Sequence, residues 1–161
     1  MKKIVDFIME DILHFHKTLE SDEELKTNSF IRDSGLLESA VNNPFQTFGG
    51  EDLYPTIFDK AAQLAYGLVK NHGFVDGNKR VAVHAMEVYL ELNDYKMNFS
   101  QEEIVKIGMD LAEDKLSAED LSKMLERKTV LNLIEFFETH VKANKNCIWI
   151  NYSNLSFHLF S

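Results

Sequence analysis

Nine consecutive residues, HGFVDGNKR from His72 to Arg80, bring together an imidazole, an aromatic ring, a carboxylate, a Gly-Asn pair and two cations. A loop that opens a helix presents unpaired backbone N–H groups at the positive end of the helix dipole, which is a ready anion site. Gly77, Asn78, Lys79 and Arg80 at such a place form a phosphate cradle. Asp76 adds a hard oxygen ligand that can hold Mg2+ against a phosphate. His72 adds a base able to take a proton near neutral pH. A base for a hydroxyl acceptor and a metal-bound polyphosphate are the parts of a phosphoryl or nucleotidyl transfer site.

Two helices must hold this stretch. Residues 55–71 carry Phe58, Ala61, Ala62, Ala65, Leu68 and Val69 on one face, with Pro55 placed in the first turn. Continuing that face reaches His72, four beyond Leu68 and seven beyond Ala65, so the periodicity predicts an inward-pointing imidazole. Residues 79–93 are apolar nearly all round, the pattern of a helix buried at the centre of a domain. Their polar stripe is Arg80, His84, Glu87, Glu91 and Asp94, with Arg80 in the first turn facing the phosphates. Phe74 reads as the plug that anchors the loop in the core, and Asn78 as the N-cap of the second helix and a phosphate donor.

The rest of the chain supplies a helical frame. Residues 3–20 place Ile4, Phe7, Ile8, Ile12, Phe15 and Leu19 on one stripe, with His14 and His16 as surface or rim histidines. Residues 21–33 read as a loop. Residues 34–42 read as a short helix ended by Asn43-Pro44, with Leu36, Leu37, Ala40 and Val41 inward. Residues 44–54 form a loop or small hairpin turning at Gly49-Gly50. Ser100 with Glu103 is a capping box for a helix to about Glu113, and Ser117 with Asp120 starts a last short helix with Leu121, Met124 and Leu125 inward. Strand signal is slight before residue 145. The expected fold is all-α, a compact helical bundle around the buried helix 79–93.

Composition narrows the function. With 45% apolar and 11% aromatic residues in 161, the chain is one globular domain's worth. The single cysteine, Cys147, excludes an internal disulfide framework and fits a reducing, cytoplasmic setting. Acids at Asp6, Glu10 and Asp11 argue against a signal peptide, and no apolar run approaches the roughly 20 residues that span a bilayer. A net charge of −9 opposes binding to nucleic acid or anionic membrane. Lys79 and Arg80 are thus a local positive site in an acidic protein, suited to a small polyphosphate.

HGFVDGNKR meets every specified position of the pattern H-x-F-x-D/E-G/A-N-G/K-R, and it resembles the signature of the Fic/Doc superfamily. The flanks, Arg32 to Pro44 and Phe48 to Lys70, resemble its death-on-curing branch. The resemblance covers roughly residues 4 to 127, which suggests a Fic/Doc domain over 1–128 and a C-terminal extension of unassigned role over 129–161. It implies a Fic-type helical bundle, with residues 44–54 as a flap that holds a target protein by backbone pairing. It implies a transferase acting as the toxin of a toxin–antitoxin pair, using ATP and Mg2+, with His72 as base, Asp76 as the metal residue, and Gly77, Asn78, Lys79 and Arg80 on the phosphates. Lys79 resembles the kinase-like death-on-curing branch, whose target class is the translation factor Tu. Gly77 is usual in the AMP-transferring (AMPylation) branch, and Gly73 departs from the common Pro, a change expected to loosen the loop. Some Fic proteins carry an inhibitory S/T-x-x-x-E-G/N helix. Ser34 to Ser39 matches it loosely, so Glu38 reads as structural and inhibition as supplied in trans by an antitoxin. A non-catalytic binding module of the same fold is the alternative of another class.

Overall fold

Helix α4 (Asn78–Leu92) shares the centre of the bundle with the helix before it. No residue from Val81 to Leu90 is exposed, as expected of a helix apolar nearly all round. The structure, a computed structural model, describes residues 9–19 and 31–131. The other helices are α1 (Met9–Leu19), α2 (Ser34–Asn42), α3 (Ile57–Asn71), α5 (Gln101–Ala112) and α6 (Ala118–Lys128). α4 packs on α3, α1 and α5, while α3 also carries α2 and α6. The all-α expectation holds, and the core runs through Leu37, Val41, Leu64, Leu68, Phe74, Met86, Tyr89, Leu111 and Leu125. Among the described residues no helix is long and apolar enough to cross a membrane.

Two short strand pairs complete the fold. β1 (Thr47–Phe48) and β2 (Glu51–Asp52) make the expected hairpin at Gly49-Gly50, with Phe48 81% exposed at its tip. The hairpin is tied down from below. Lys60 of α3 is buried, and its Nζ donates to Asp52 Oδ2 at 2.8 Å, within 5.9 Å of the Phe45 ring centroid. β3 (Tyr95–Met97) pairs antiparallel with β4 (Thr129–Leu131). The sequence reading missed this ladder because each strand is only three residues long. The first three residues of the segment set apart from 129 therefore pair with the bundle. Ile4, Phe7 and Ile8 of the first stripe, residues 21–30 of the first loop, and 132–161 lie outside the described residues.

Local chemistry places the helix ends. α5 begins at the expected Ser100–Glu103 capping box. α3 begins later than expected: Thr56 is its N-cap and Asp59 closes a second capping box, so Pro55 stands before the cap rather than in the first turn. Leu36, expected inward, is 41% exposed, while Leu37, Ala40 and Val41 are buried. Asp94, assigned to the polar stripe of α4, is buried, because its positive φ of 70° turns the chain out of helical phase.

Asp59 joins two helices. Its Oδ2 accepts from the Thr56 N–H (3.2 Å) and hydroxyl (2.7 Å), and its Oδ1 accepts from the Ser122 hydroxyl of α6 (2.6 Å). Burial pushes the carboxyl pKa up, but the bonds from Ser122 and Thr56 outweigh it and hold the group below its ordinary value of 3.8. A depressed folded-state pKa stabilises the fold above the ordinary value, and that contribution is lost as pH falls through the folded value. Asp59→Asn is expected to lower stability at neutral pH by about 1 kcal/mol, the worth of a helix cap. Urea midpoints measured at neutral pH and again well below the ordinary carboxylate value should show the gap between parent and variant closing in acid.

Candidate active site

The loop from His72 to Gly77 joins α3 to α4, and its residues divide by exposure. His72, Val75, Asp76, Lys79 and Arg80 are exposed; Gly73, Phe74, Gly77 and Asn78 are buried. The division follows from three anchors on the loop backbone.

The first anchor is Phe74, which is 1% exposed and fills the expected role of plug. The second is Asn78. It is not the N-cap of α4, a position held by Gly77 at φ +82°. Asn78 is instead the first helical residue, and its side chain clamps Phe74. The Phe74 N–H donates to Asn78 Oδ1 at 2.9 Å, and Asn78 Nδ2 donates to the Phe74 carbonyl at 3.0 Å. The left-handed turn at Gly77 makes this reach possible, and a glycine meets that φ without a side-chain penalty.

The third anchor is the segment before α2. The Gly73 carbonyl accepts from the N–H groups of Arg32 (2.8 Å) and Asp33 (3.1 Å), and Ile31 forms a β-bridge with Phe74. A Cβ on Gly73 would lie 2.8 Å from Leu37 Cβ and 3.1 Å from Leu37 Cα. The glycine thus lets α2 pack directly against the loop. Glu38, next to Leu37, is exposed.

His72 does not point inward. α3 ends at Asn71, and His72 adopts the left-handed conformation (φ 48°, ψ 47°) as its C-cap. That residue leaves the helical phase used to extrapolate its direction, and the imidazole is exposed. His16 departs from expectation the other way. It is 2% exposed, its ring stacks on Phe74 at 4.2 Å between centroids, and its Nε2 lies 3.0 Å from the Asp76 carbonyl. The helical stripe could not reveal this, since the partner loop is 60 residues away. His14 is exposed, as expected.

The Asp76 carboxylate is open to solvent, its side chain 88% exposed. Oδ1 accepts from the Gly77 N–H at 2.7 Å, and Oδ2 stands 3.7 Å from Arg80 Nη2. An ion pair this exposed adds at most about 1 kcal/mol, so its consequence is orientation rather than stability. Beside the loop, α4 and α5 enclose a groove of about 360 Å³, lined by Lys79, Arg80 and His84 and by Ile104, Val105 and Met109. The sequence reading did not find this groove, because it is built by two helices separated in the chain.

Residues 6–90, just over half of the chain, match the Fic/DOC family, and the protein belongs to that family. It is also similar to a protein of Mycolicibacterium smegmatis (strain ATCC 700084 / mc(2)155) described as Toxin Doc. The two are 46% identical over 67 residues, which is 42% of this chain and 52% of the relative. The chain spans about half the length of the curated relative it matches.

Replacing Asn78 by Ala removes the hydrogen bonds it makes to the N–H and carbonyl of buried Phe74. Each lost bond of this kind costs about 1–3 kcal/mol, so the urea midpoint of Asn78→Ala is expected to fall clearly. An unchanged midpoint would show that the clamp does not hold the loop.

Proposed function

We propose that this protein is a Fic/Doc transferase that moves the γ-phosphate of ATP to a hydroxyl side chain of a target protein, and that it serves as the toxin of a toxin–antitoxin pair. The observation that carries the reading is the division of the loop. The groups that could do chemistry, His72, Asp76, Lys79 and Arg80, are exposed along the loop that joins α3 to α4 and the first turn of α4, on a backbone fixed by buried Phe74 and Asn78. The relative described as Toxin Doc supports the toxin role, and with it a cognate antitoxin acting in trans.

In this reading His72 takes the proton of the acceptor hydroxyl. The hydroxyl oxygen then bonds to the γ-phosphorus as the bond to ADP breaks, and the proton passes from the imidazole to solvent. The first turn of α4 offers backbone N–H groups of Asn78, Lys79 and Arg80, joined by the two cationic side chains, to the phosphates. The Asn78 side chain, engaged on Phe74, acts by shaping the loop. Mg2+ is commonly held by one or two carboxylates together with substrate phosphates, and it neutralises their charge. Asp76 fits that mode. Among the described residues no group of three or more His, Cys, Asp or Glu could hold a metal by protein ligands alone.

Gly77 and Lys79 pull towards different chemistries, AMP transfer and phosphate transfer. The φ of +82° gives Gly77 a backbone reason to be glycine, so it weighs little in that choice. Lys79 is exposed and adds a cation at the helix start, which favours the kinase-like reaction. The hairpin 47–52, pinned through Lys60 to Asp52, is the proposed seat for the target segment, and a translation factor of the Tu class is the proposed target.

The test is label transfer. The purified chain is incubated with Mg2+ and bacterial lysate, with γ- or α-labelled ATP, beside His72→Ala. Label on a protein band from γ only, reduced in the variant by about 100- to 10,000-fold as for loss of a general base, is expected. Label from α would replace phosphate transfer by AMP transfer. No label from either, with the protein folded, would overturn the transferase reading in favour of a binding module.

A further inference from the structure

His16 takes no part in the mechanism above, yet it is buried against the one loop that does. Three observations bear on what it does. Its Nε2 lies 3.0 Å from the carbonyl oxygen of Asp76. Its ring lies almost flat on Phe74, at 27° between planes. Its helix is itself anchored on α4, where Phe15 meets the edge of His84 at 5.0 Å.

A carbonyl oxygen only accepts hydrogen bonds, so the bonded Nε2 carries a proton and donates. The bond fixes one peptide plane, the plane between Asp76 and Gly77. All peptide bonds among the described residues are trans, and in a trans peptide the C=O and N–H point in opposite directions. A carbonyl held towards α1 therefore aims the Gly77 N–H away from α1. That N–H is the donor found 2.7 Å from Asp76 Oδ1. The same carboxylate faces Arg80 through Oδ2. A chain of orientation thus runs from a buried imidazole, through one peptide plane, to an exposed carboxylate. A glycine at Gly77 has low barriers to a change of φ and ψ, so this plane is one that needs an external hold.

We propose that His16 is a positioning residue for Asp76: its Nε2–H sets the Asp76–Gly77 peptide plane and thereby the direction in which the Asp76 carboxylate meets a divalent cation on the phosphates. The inference rests on the reading of Asp76 as the metal residue. It assigns to the first helix a specific polar role in the site beyond packing. Supporting groups of this kind around a metal residue typically change metal affinity or activity by about 10- to 100-fold when lost.

Two variants separate the hydrogen bond from the stacking. His16→Phe keeps an aromatic ring on Phe74 and loses the donor. His16→Gln keeps an N–H near the position of Nε2 and loses the ring. In the label-transfer assay His16→Phe is expected to lose about 10- to 100-fold in rate and to need more Mg2+ for half-maximal transfer. His16→Gln should recover most of that loss, although it packs less well. A merely structural His16 predicts the reverse order, with Gln the poorer of the two and the Mg2+ requirement unchanged in both. That result would overturn the proposal.

Two further readouts do not depend on catalysis. In the parent chain, nitrogen-15 spectra of the His16 imidazole should show a protonated Nε2 in slow exchange. A bare Nε2 would overturn the proposal whether or not any variant folds. Hydrogen exchange of the Gly77 amide should accelerate in His16→Phe and return towards parent in His16→Gln; equal protection in all three chains would also overturn it. If the parent transfers no label while the imidazole and amide behave as described, the transferase reading fails and what stands is the hold of His16 on the Asp76–Gly77 peptide plane.

Discussion

The site depends on the two hydrogen bonds by which one side chain, Asn78, holds both polar groups of the Phe74 backbone. Phe74 is apolar and falls into the core, but its peptide groups cannot enter an apolar interior unpaired. Asn78 resolves that conflict within the loop itself, four residues on. It can do so because Gly77 turns left-handed and starts α4 with Asn78 already facing back. With Phe74 and Asn78 buried, His72, Val75, Asp76, Lys79 and Arg80 are left in solvent along the loop and the first turn of α4.

Much of the remaining structure braces this arrangement. The Arg32 and Asp33 N–H groups take the Gly73 carbonyl, α2 presses on Gly73 through Leu37, and α1 brings His16 to the Asp76 carbonyl. Carbonyls at positions 73, 74 and 76 are thus each held by a different part of the chain. Such over-determination is what keeps a loop containing left-handed residues in one conformation. A rigid backbone with exposed reactive groups suits a reaction whose catalysis is mainly positioning and electrostatics. The hairpin is anchored by a separate device, the buried Lys60 on Asp52.

The sequence made the bundle legible, because the stripes of α3 and the all-round apolar face of α4 are helical patterns that only burial explains. The candidate stretch stood out too, through nine contiguous residues and their resemblance to the Fic/DOC family that the chain belongs to. What escaped was whatever depended on a left-handed turn or on a distant partner. His72 was extrapolated along a helix that ends one residue before it. Asn78 looks like a cap in the sequence because the turn at Gly77, which takes the cap position, leaves no mark beyond a glycine. His16 looks like a rim residue in the sequence because nothing within its helix signals a loop 60 positions away. The β3–β4 ladder was missed because strands of three residues carry too little alternation to register.

The central claim is that the loop 72–80, held rigid from beneath, binds the metal-bound polyphosphate of ATP. The most direct measurement is a titration of the nitrogen-15-labelled chain with ATP, with and without Mg2+, following the backbone amides. Shifts centred on Asp76 to Arg80 are expected, requiring Mg2+ for full size and falling to the metal-free size in Asp76→Ala. Shifts centred instead on the α5 side of the neighbouring groove, or the same shifts without Mg2+ and in Asp76→Ala, would contradict it.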